Sequence, residues 1–276
     1  MSFEAGAPRT SFDAGALLDW YERVRRPLPW RATRDPYALL VSEVMLQQTQ
    51  AARVVPYYHA FLERFPDPRA LAEAPAADVL AAWSGLGYNR RALALQRAAA
   101  VVAERGWPED LTELPGVGAY TAAAVASFAW DRQAAAVDTN VRRVISRHDG
   151  ERHGPRALAG RAAELMPAGR AAPFNQAMME LGATVCRPRR PDCVGCPVRR
   201  GCATEGRAGE EPRPRPAARR ERFEDSDRWA RGRIVAALVA GEDPPPLAPE
   251  RRARAEAGLL RDGLAVRGAD GALRLP

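Results

Sequence analysis

The chain has 276 residues, 46% hydrophobic and 27% charged, enough for one large packed domain or two of ordinary size. Its longest nearly apolar run, Ala119 to Trp130, is shorter than the roughly 18–20 residues a bilayer needs, and no signal peptide is visible in MSFEAGAPRT; a cytoplasmic protein with no membrane partner is expected. The formal net charge is +7 and none of the 41 basic side chains is Lys, so no side chain can form a Schiff base.

In chain order, Leu17, Leu18, Trp20, Tyr21 and Val24 recur at helical spacing after a cap at Ser11, and Pro27 and Pro29 stop that helix. Residues 37–48 read as a mostly buried helix with one charge, Glu43, among Leu39, Leu40, Val41, Val44, Met45 and Leu46. That carboxyl either points to solvent or is partly buried with a raised pKa and acts as a general acid. The segment alone favours solvent. Residues 57–65, 76–83 and 90–104 read as further helices, punctuated by Pro and Gly.

LPGVG, Leu114 to Gly118, then turns between two helices. Gly116 and Gly118 let the N–H groups of Gly116, Val117 and Gly118 face outward at a helix N-terminus, a phosphate site that uses no side chain. An Ala-rich helix follows to about Trp130. Asp138 precedes a helix that carries Val141, Val144 and Ile145 inward and Arg142, Arg143 and Arg147 on another face. Its simplest role is an N-cap, which does not exclude chemistry. Residues 157–166 and 174–185 complete the helical set. No strand is read before residue 260.

Cys186, Cys193, Cys196 and Cys202 are spaced C-x6-C-x2-C-x5-C. Zinc ribbons offer two separate C-x2-C knuckles, and only one is present. Four thiolates in one compact loop suit a cubane iron–sulfur cluster, each corner taking one Cys. Arg187, Arg189, Arg190, Arg199 and Arg200 stud this loop. Residues 186–222 hold 11 Arg and 5 acids, nearly all the chain's excess charge, which points to a polyanion such as nucleic acid. Residues 206–226 read as an Arg/Pro linker. Beyond it, helices over 227–240 and 249–261 and a hairpin turning at Asp270-Gly271 read as a small winged-helix module.

SEVMLQQTQ (Ser42–Gln50), GLGY (Gly85–Tyr88), LPGVG, VDTNV (Val137–Val141), FNQAMMELGATVC (Phe174–Cys186) and the Cys loop together resemble the MutY-type adenine DNA glycosylases. The resemblance covers residues 11–205. Glu43 in SEVMLQQT separates this branch from the endonuclease III branch, which carries a catalytic Lys where this chain has Tyr120. The resemblance implies excision of adenine mispaired with 8-oxoguanine or guanine in double-stranded DNA, by a monofunctional enzyme. Glu43 would protonate adenine N7 and Asp138 would stabilise the sugar oxocarbenium ion, the two-carboxylate logic of glycoside hydrolysis. Tyr120 would contact this pair and Asn140 help place water or Glu43. Trp30, Arg31 and Gln176 would line the pocket for a flipped adenine. Gln48 would fill the vacated space, Tyr88 wedge beside 8-oxoguanine, and Thr49 and Leu86 touch the lesion. The four cysteines would hold a 4Fe-4S cluster. Most of the family ends in a Nudix-like domain; here 71 residues follow residue 205 and lack its mixed β pattern, so a short form is expected.

The expected fold is all-α, of the helix-hairpin-helix DNA glycosylase class, in a monomer. Residues 1–205 would form the glycosylase domain: a six-helix module at 31–140, and an iron–sulfur module from 1–30 and 141–205, with adenine in the cleft between them. Residues 206–226 would link it to the 227–276 module. Two rivals stand. A mismatch-specific thymine or uracil glycosylase of the same superfamily would not need Glu43. A non-catalytic DNA-binding regulator would not need two carboxylates.

Overall fold

The computed structural model describes residues 11–206 and 222–276. Apart from one two-stranded hairpin, regular structure among them is helical, as the composition and periodicity led us to expect. None of these helices is long and apolar enough to cross a membrane.

The described residues fall into two compact units. Residues 11–39 and 118–206 form the first, and residues 40–117 with 222–276 the second. The divisions therefore fall at 39/40 and 117/118, not at 30/31 and 140/141, and residues 222–276 join the second unit.

In the first unit, α1 (Ala14–Val24), α8 (Thr139–Asp149), α9 (Pro155–Leu165) and α10 (Ala171–Thr184) share a core of Leu17, Tyr21, Val141, Ile145, Leu158, Phe174, Met178 and Leu181. Burying each such side chain is worth about 1.5–3 kcal/mol, which outweighs the modest helix propensity of these segments. Asp13, not Ser11, caps α1, its carboxylate accepting from the Ala16 N–H at 2.8 Å. Val24 ends α1 exposed rather than inward. The apolar helix α7 (Ala119–Trp130) buries Ala124 and Phe128 with Leu39 and Ala136. Gly182 lets α10 approach α8: a Cβ there would stand 2.5 Å from the Cβ of Asn140.

In the second unit, α2 (Pro36–Leu46) enters from the first, followed by α3 (Ala51–Arg64), α4 (Pro68–Glu73), α5 (Ala76–Trp83) and α6 (Arg90–Arg105). Helix α3 begins before Pro56 and runs through it, where the sequence suggested a start at residue 57. Pro56 sits in the second turn, so it forfeits only the bond to the Ala52 carbonyl. Helix α4 was not foreseen, although Asp67 caps it and Pro68 fills its first position. Phe61, Phe65 and Trp83 interlock edge to face. Gln96 ties α6 to α4 through the carbonyls of Leu71 and Ala74, at 3.3 and 2.7 Å.

The last residues of this unit form α11 (Asp227–Ala240), α12 (Pro249–Arg261) and an antiparallel hairpin, β1 (Val266–Arg267) with β2 (Leu273–Arg274). Ile234, Ala237, Ala255, Leu259 and Leu264 are buried. Of the linker read at 206–226, residues 207–221 lie outside the described residues; Phe223–Asp225 form a single helical turn.

Candidate active site

Glu43 sits in the middle of α2, flanked by side chains that are almost wholly buried, and is itself only 4% exposed. The solvent-facing reading, which the local sequence favoured, does not hold. Helix α2 is apolar all round, so no face is left for a solvated carboxylate.

Two turns lie together in the same unit. Gln48 follows α2 and Tyr88 precedes α6; both take left-handed φ, +58° and +51°. The Tyr88 hydroxyl donates to Gln48 Oε1. Arg91, not foreseen, clamps these turns: its guanidinium donates to the Gln47 carbonyl at 2.8 Å and the Gly87 carbonyl at 3.1 Å. Burial lowers Arg91 to about 10, partly offset by Tyr88. Tyr88 and Gln48 are exposed, Thr49 half-buried and Leu86 buried.

The LPGVG turn closes with the Val117 N–H on the Leu114 carbonyl at 3.0 Å, so that N–H does not face outward as expected: the tight turn uses it internally. Gly116 has φ +79°, and a Cβ there would meet that of Ala94 at 2.7 Å. Gly118 is the N-cap of α7 and supplies no capping side chain. The first-turn N–H groups of α7 therefore receive no capping bond from it, as a phosphate site requires.

In the first unit Asp138 caps α8. Its Oδ1 accepts from the N–H groups of Asn140 at 2.8 Å and Val141 at 2.7 Å, and its Oδ2 from Asn140 Nδ2 at 2.7 Å. Asn140 in turn accepts from Arg143 at 2.8 Å. Three donors thus fix one carboxylate. Tyr120, on α7, directs its hydroxyl at the Met179 sulfur, 3.8 Å away.

Trp30 is buried, and Arg31 and Gln176 meet Tyr21, read from the sequence only as a helix-face residue, and Glu180, which was not foreseen. Tyr21 donates to Gln176 Oε1 at 2.7 Å, and Arg31 lies 5.4 Å over its ring. Glu180, 1% exposed, accepts from Arg31 at 2.6 Å and from Nε and Nη2 of Arg26 at 2.7 and 2.9 Å. Burial pushes the Glu180 carboxyl up, but its hydrogen bonds and charge contacts with Arg26 and Arg31 outweigh that and hold it below the usual range. The signal existed: Glu180 is a lone charge on an apolar helix, like Glu43.

Cys186, Cys193, Cys196 and Cys202 line one shared cavity. Arg147, expected on an outer face, is buried against this loop instead. It donates to the Arg187 carbonyl at 2.8 Å and to the Cys186 sulfur at 3.6 Å. Burial pushes the Cys196 thiol up to about 11 and raises that of Cys186. No group of three or more His, Cys, Asp or Glu among the described residues is drawn together as around a single metal ion. A cubane takes each cysteine at a separate corner, so four thiols around one cavity remain the donor set it needs. Arg187, Arg189, Arg190, Arg199 and Arg200 are all exposed around the loop.

Residues 41–167 match the HhH-GPD superfamily of base excision DNA repair proteins. The chain is 44% identical to an adenine DNA glycosylase of Mycobacterium tuberculosis, over 94% of this chain and 92% of that protein. The chain belongs to the adenine DNA glycosylase family. Other adenine DNA glycosylases similar to it include those of Mycolicibacterium smegmatis (42% identity, 94% of each chain) and Homo sapiens (43%, 71% of this chain and 40% of that one). Among solved structures, a thermostable thymine-DNA glycosylase superposes with a TM-score of 0.65 at 32% identity, over 72% of this chain and 95% of that one. A trapped endonuclease III–DNA intermediate gives a TM-score of 0.61 at 24% identity, over 69% and 92%, and shows the common fold.

Proposed function

We propose that this adenine DNA glycosylase removes adenine paired with 8-oxoguanine or guanine and leaves an abasic site. The observation that carries the reading is the carboxyl of Glu43, buried on an apolar helix of an adenine DNA glycosylase. Purines leave as anions only with difficulty. Protonation at N7 lets the C1′–N9 bond break with its electron pair going to the base. Glu43 supplies that proton. Asp138, held by three donors, keeps a fixed negative charge for the sugar oxocarbenium ion, to which water then adds. Asn140 orients Asp138, and Tyr120 is assigned to the same machinery. Trp30, Arg31 and Gln176 receive the extruded adenine. Gln48 fills the gap it leaves, Tyr88 enters beside the opposite base, and Thr49 and Leu86 border the lesion.

The N–H groups of Gly116 and Gly118 hold a backbone phosphate, the Val117 N–H being spent on the Leu114 carbonyl. Cys186, Cys193, Cys196 and Cys202 hold a 4Fe-4S cluster, which serves as a rigid cross-link. The enzyme works as a monomer in the bacterial cytoplasm, on the nucleoid. Without Lys, a covalent amine adduct on a side chain is not available, so strand cleavage is absent or weak.

The likeness to a thymine-DNA glycosylase keeps one rival substrate open to test. Thymine release does not depend on N7 protonation. Single-turnover assays on A:8-oxoG, A:G and T:G duplexes, with an alkali step, decide between them. Fastest release from A:8-oxoG and an inactive Glu43→Gln are expected. Release from T:G that survives Glu43→Gln overturns the adenine reading.

A further inference from the structure

Tyr88 is met by a residue from the far end of the chain. Ser226 caps α11, accepting from the Trp229 N–H at 3.2 Å, and Arg228 lies in its first turn. The Arg228 guanidinium lies 4.2 Å over the Tyr88 ring, and its Nη1 donates to the Tyr88 hydroxyl at 2.6 Å. That hydroxyl donates onward to Gln48. A directed chain therefore runs Arg228 to Tyr88 to Gln48. Phe223 flanks the same guanidinium at 5.1 Å, and Arg91 lies 5.4 Å from the Tyr88 ring.

A second set of contacts joins the same elements. Asp262, after α12, accepts from Arg231 of α11 at 3.0 Å and pairs with Arg90, two residues after Tyr88, at 3.7 Å. Helix α11 thus stands on the segment that carries Tyr88. Arg228 itself is exposed, so the stacked and hydrogen-bonded pose comes from its partners and not from burial.

Tyr88 and Gln48 both sit in left-handed backbone, which costs a non-glycine residue about 1–2 kcal/mol each. Such residues persist where their surroundings over-determine them. A side chain that enters a duplex must be ordered first, and ordering it beforehand removes that cost from binding.

We propose that Arg228 is a positioning residue for Tyr88: residues 222–276 hold Tyr88, and through it Gln48, in the pose that enters the duplex. The proposal rests on the reading of Tyr88 as the residue that enters beside the base opposite adenine. The adenine DNA glycosylase match to M. tuberculosis spans 94% of this chain and so extends into residues 222–276.

The test uses a duplex carrying 2′-fluoro-2′-deoxyadenosine, which resists cleavage, opposite 8-oxoguanine. 2-Aminopurine beside the 8-oxoguanine brightens when a side chain unstacks it. The readout is the fluorescence amplitude at saturating full-length protein, which is independent of affinity. Losing one cation–π contact and one hydrogen bond should lower the ratio of inserted to withdrawn Tyr88 about fivefold in Arg228→Ala. Arg228→Lys, which keeps the charge and one donor, should recover part of the amplitude. Adding Arg228→Ala to Tyr88→Leu should change nothing further. An amplitude in Arg228→Ala equal to or above that of the unaltered chain overturns the proposal, even if affinity falls, because Arg228 is then an ordinary phosphate contact or a restraint. If Tyr88→Leu keeps the full amplitude, the reading of Tyr88 fails, and the proposal with it. That outcome is separable because it does not involve Arg228.

Discussion

The two carboxyl groups are held in opposite ways. Glu43 is buried in apolar surroundings on α2, whereas Asp138 is gripped by three donors at the head of α8. Opposite environments suit opposite roles, a proton donor and a fixed anion. Asp138→Asn keeps an oxygen for the N-cap, so its melting temperature should stay close to that of the unaltered chain while base release falls by about two to four powers of ten. Asp138→Ala should lose the cap as well, at a cost of about 1 kcal/mol in denaturant unfolding. Equal loss of stability in both variants contradicts this separation.

Glu180 gives a prediction in pH. Its carboxyl is held below the 4.5 of the free side chain. Its contribution to stability is therefore present above about pH 4.5 and is lost as pH falls through its folded value. Thermal unfolding followed from pH 7 to pH 3 should show a steeper acid decline in the unaltered chain than in Glu180→Gln. Parallel curves contradict the assignment.

Among elements, the close approach of α10 to α8 decides how Asn140 stands. Gly182→Ala forces its Cβ against the Asn140 side chain and backbone. Overpacking of this kind costs about 1–3 kcal/mol. Because Asn140 orients Asp138, base release should fall along with stability. Denaturant unfolding and single-turnover rates on the same preparation check both effects, and an unchanged rate removes Asn140 from the machinery.

The helices were largely legible, because apolar periodicity and breakers act locally. Helices α5, α7, α11 and α12 match their sequence bounds. Helix α4 and the run of α3 through Pro56 were not read, since a short helix has too few turns for a period and one proline early in a helix breaks little. Arg91, Arg147, Glu180 and Arg228 were missed as organising residues for another reason. Each long polar side chain finds partners that are distant in sequence, and no local pattern encodes such pairs. Glu43 stood out both for its apolar neighbours and for its place in SEVMLQQT, and the local reading alone pointed it to solvent although it is buried.

At the scale of the whole molecule, residues 222–276 pack as helix, helix and hairpin in the unit that carries Glu43 and Tyr88. The Cys loop belongs to the other unit, where Arg147 anchors it and five exposed Arg surround it. If the four cysteines hold a cluster, the purified protein should contain iron and sulfide in equal amounts. Cys196→Ser should lose both, and its duplex affinity should fall with a shallower salt dependence, because the loop no longer presents its Arg side chains together. Unchanged affinity and salt slope in the iron-free variant separate the loop from DNA.

The most direct measurement is single-turnover base release from a duplex with a central A:8-oxoG pair, run beside A:G and T:G, with Glu43→Gln and Asp138→Asn alongside. The account predicts fastest release of adenine opposite 8-oxoguanine, slower release opposite guanine, none of thymine, and loss of release in both variants. Thymine release from T:G, or adenine release that survives Glu43→Gln, contradicts it.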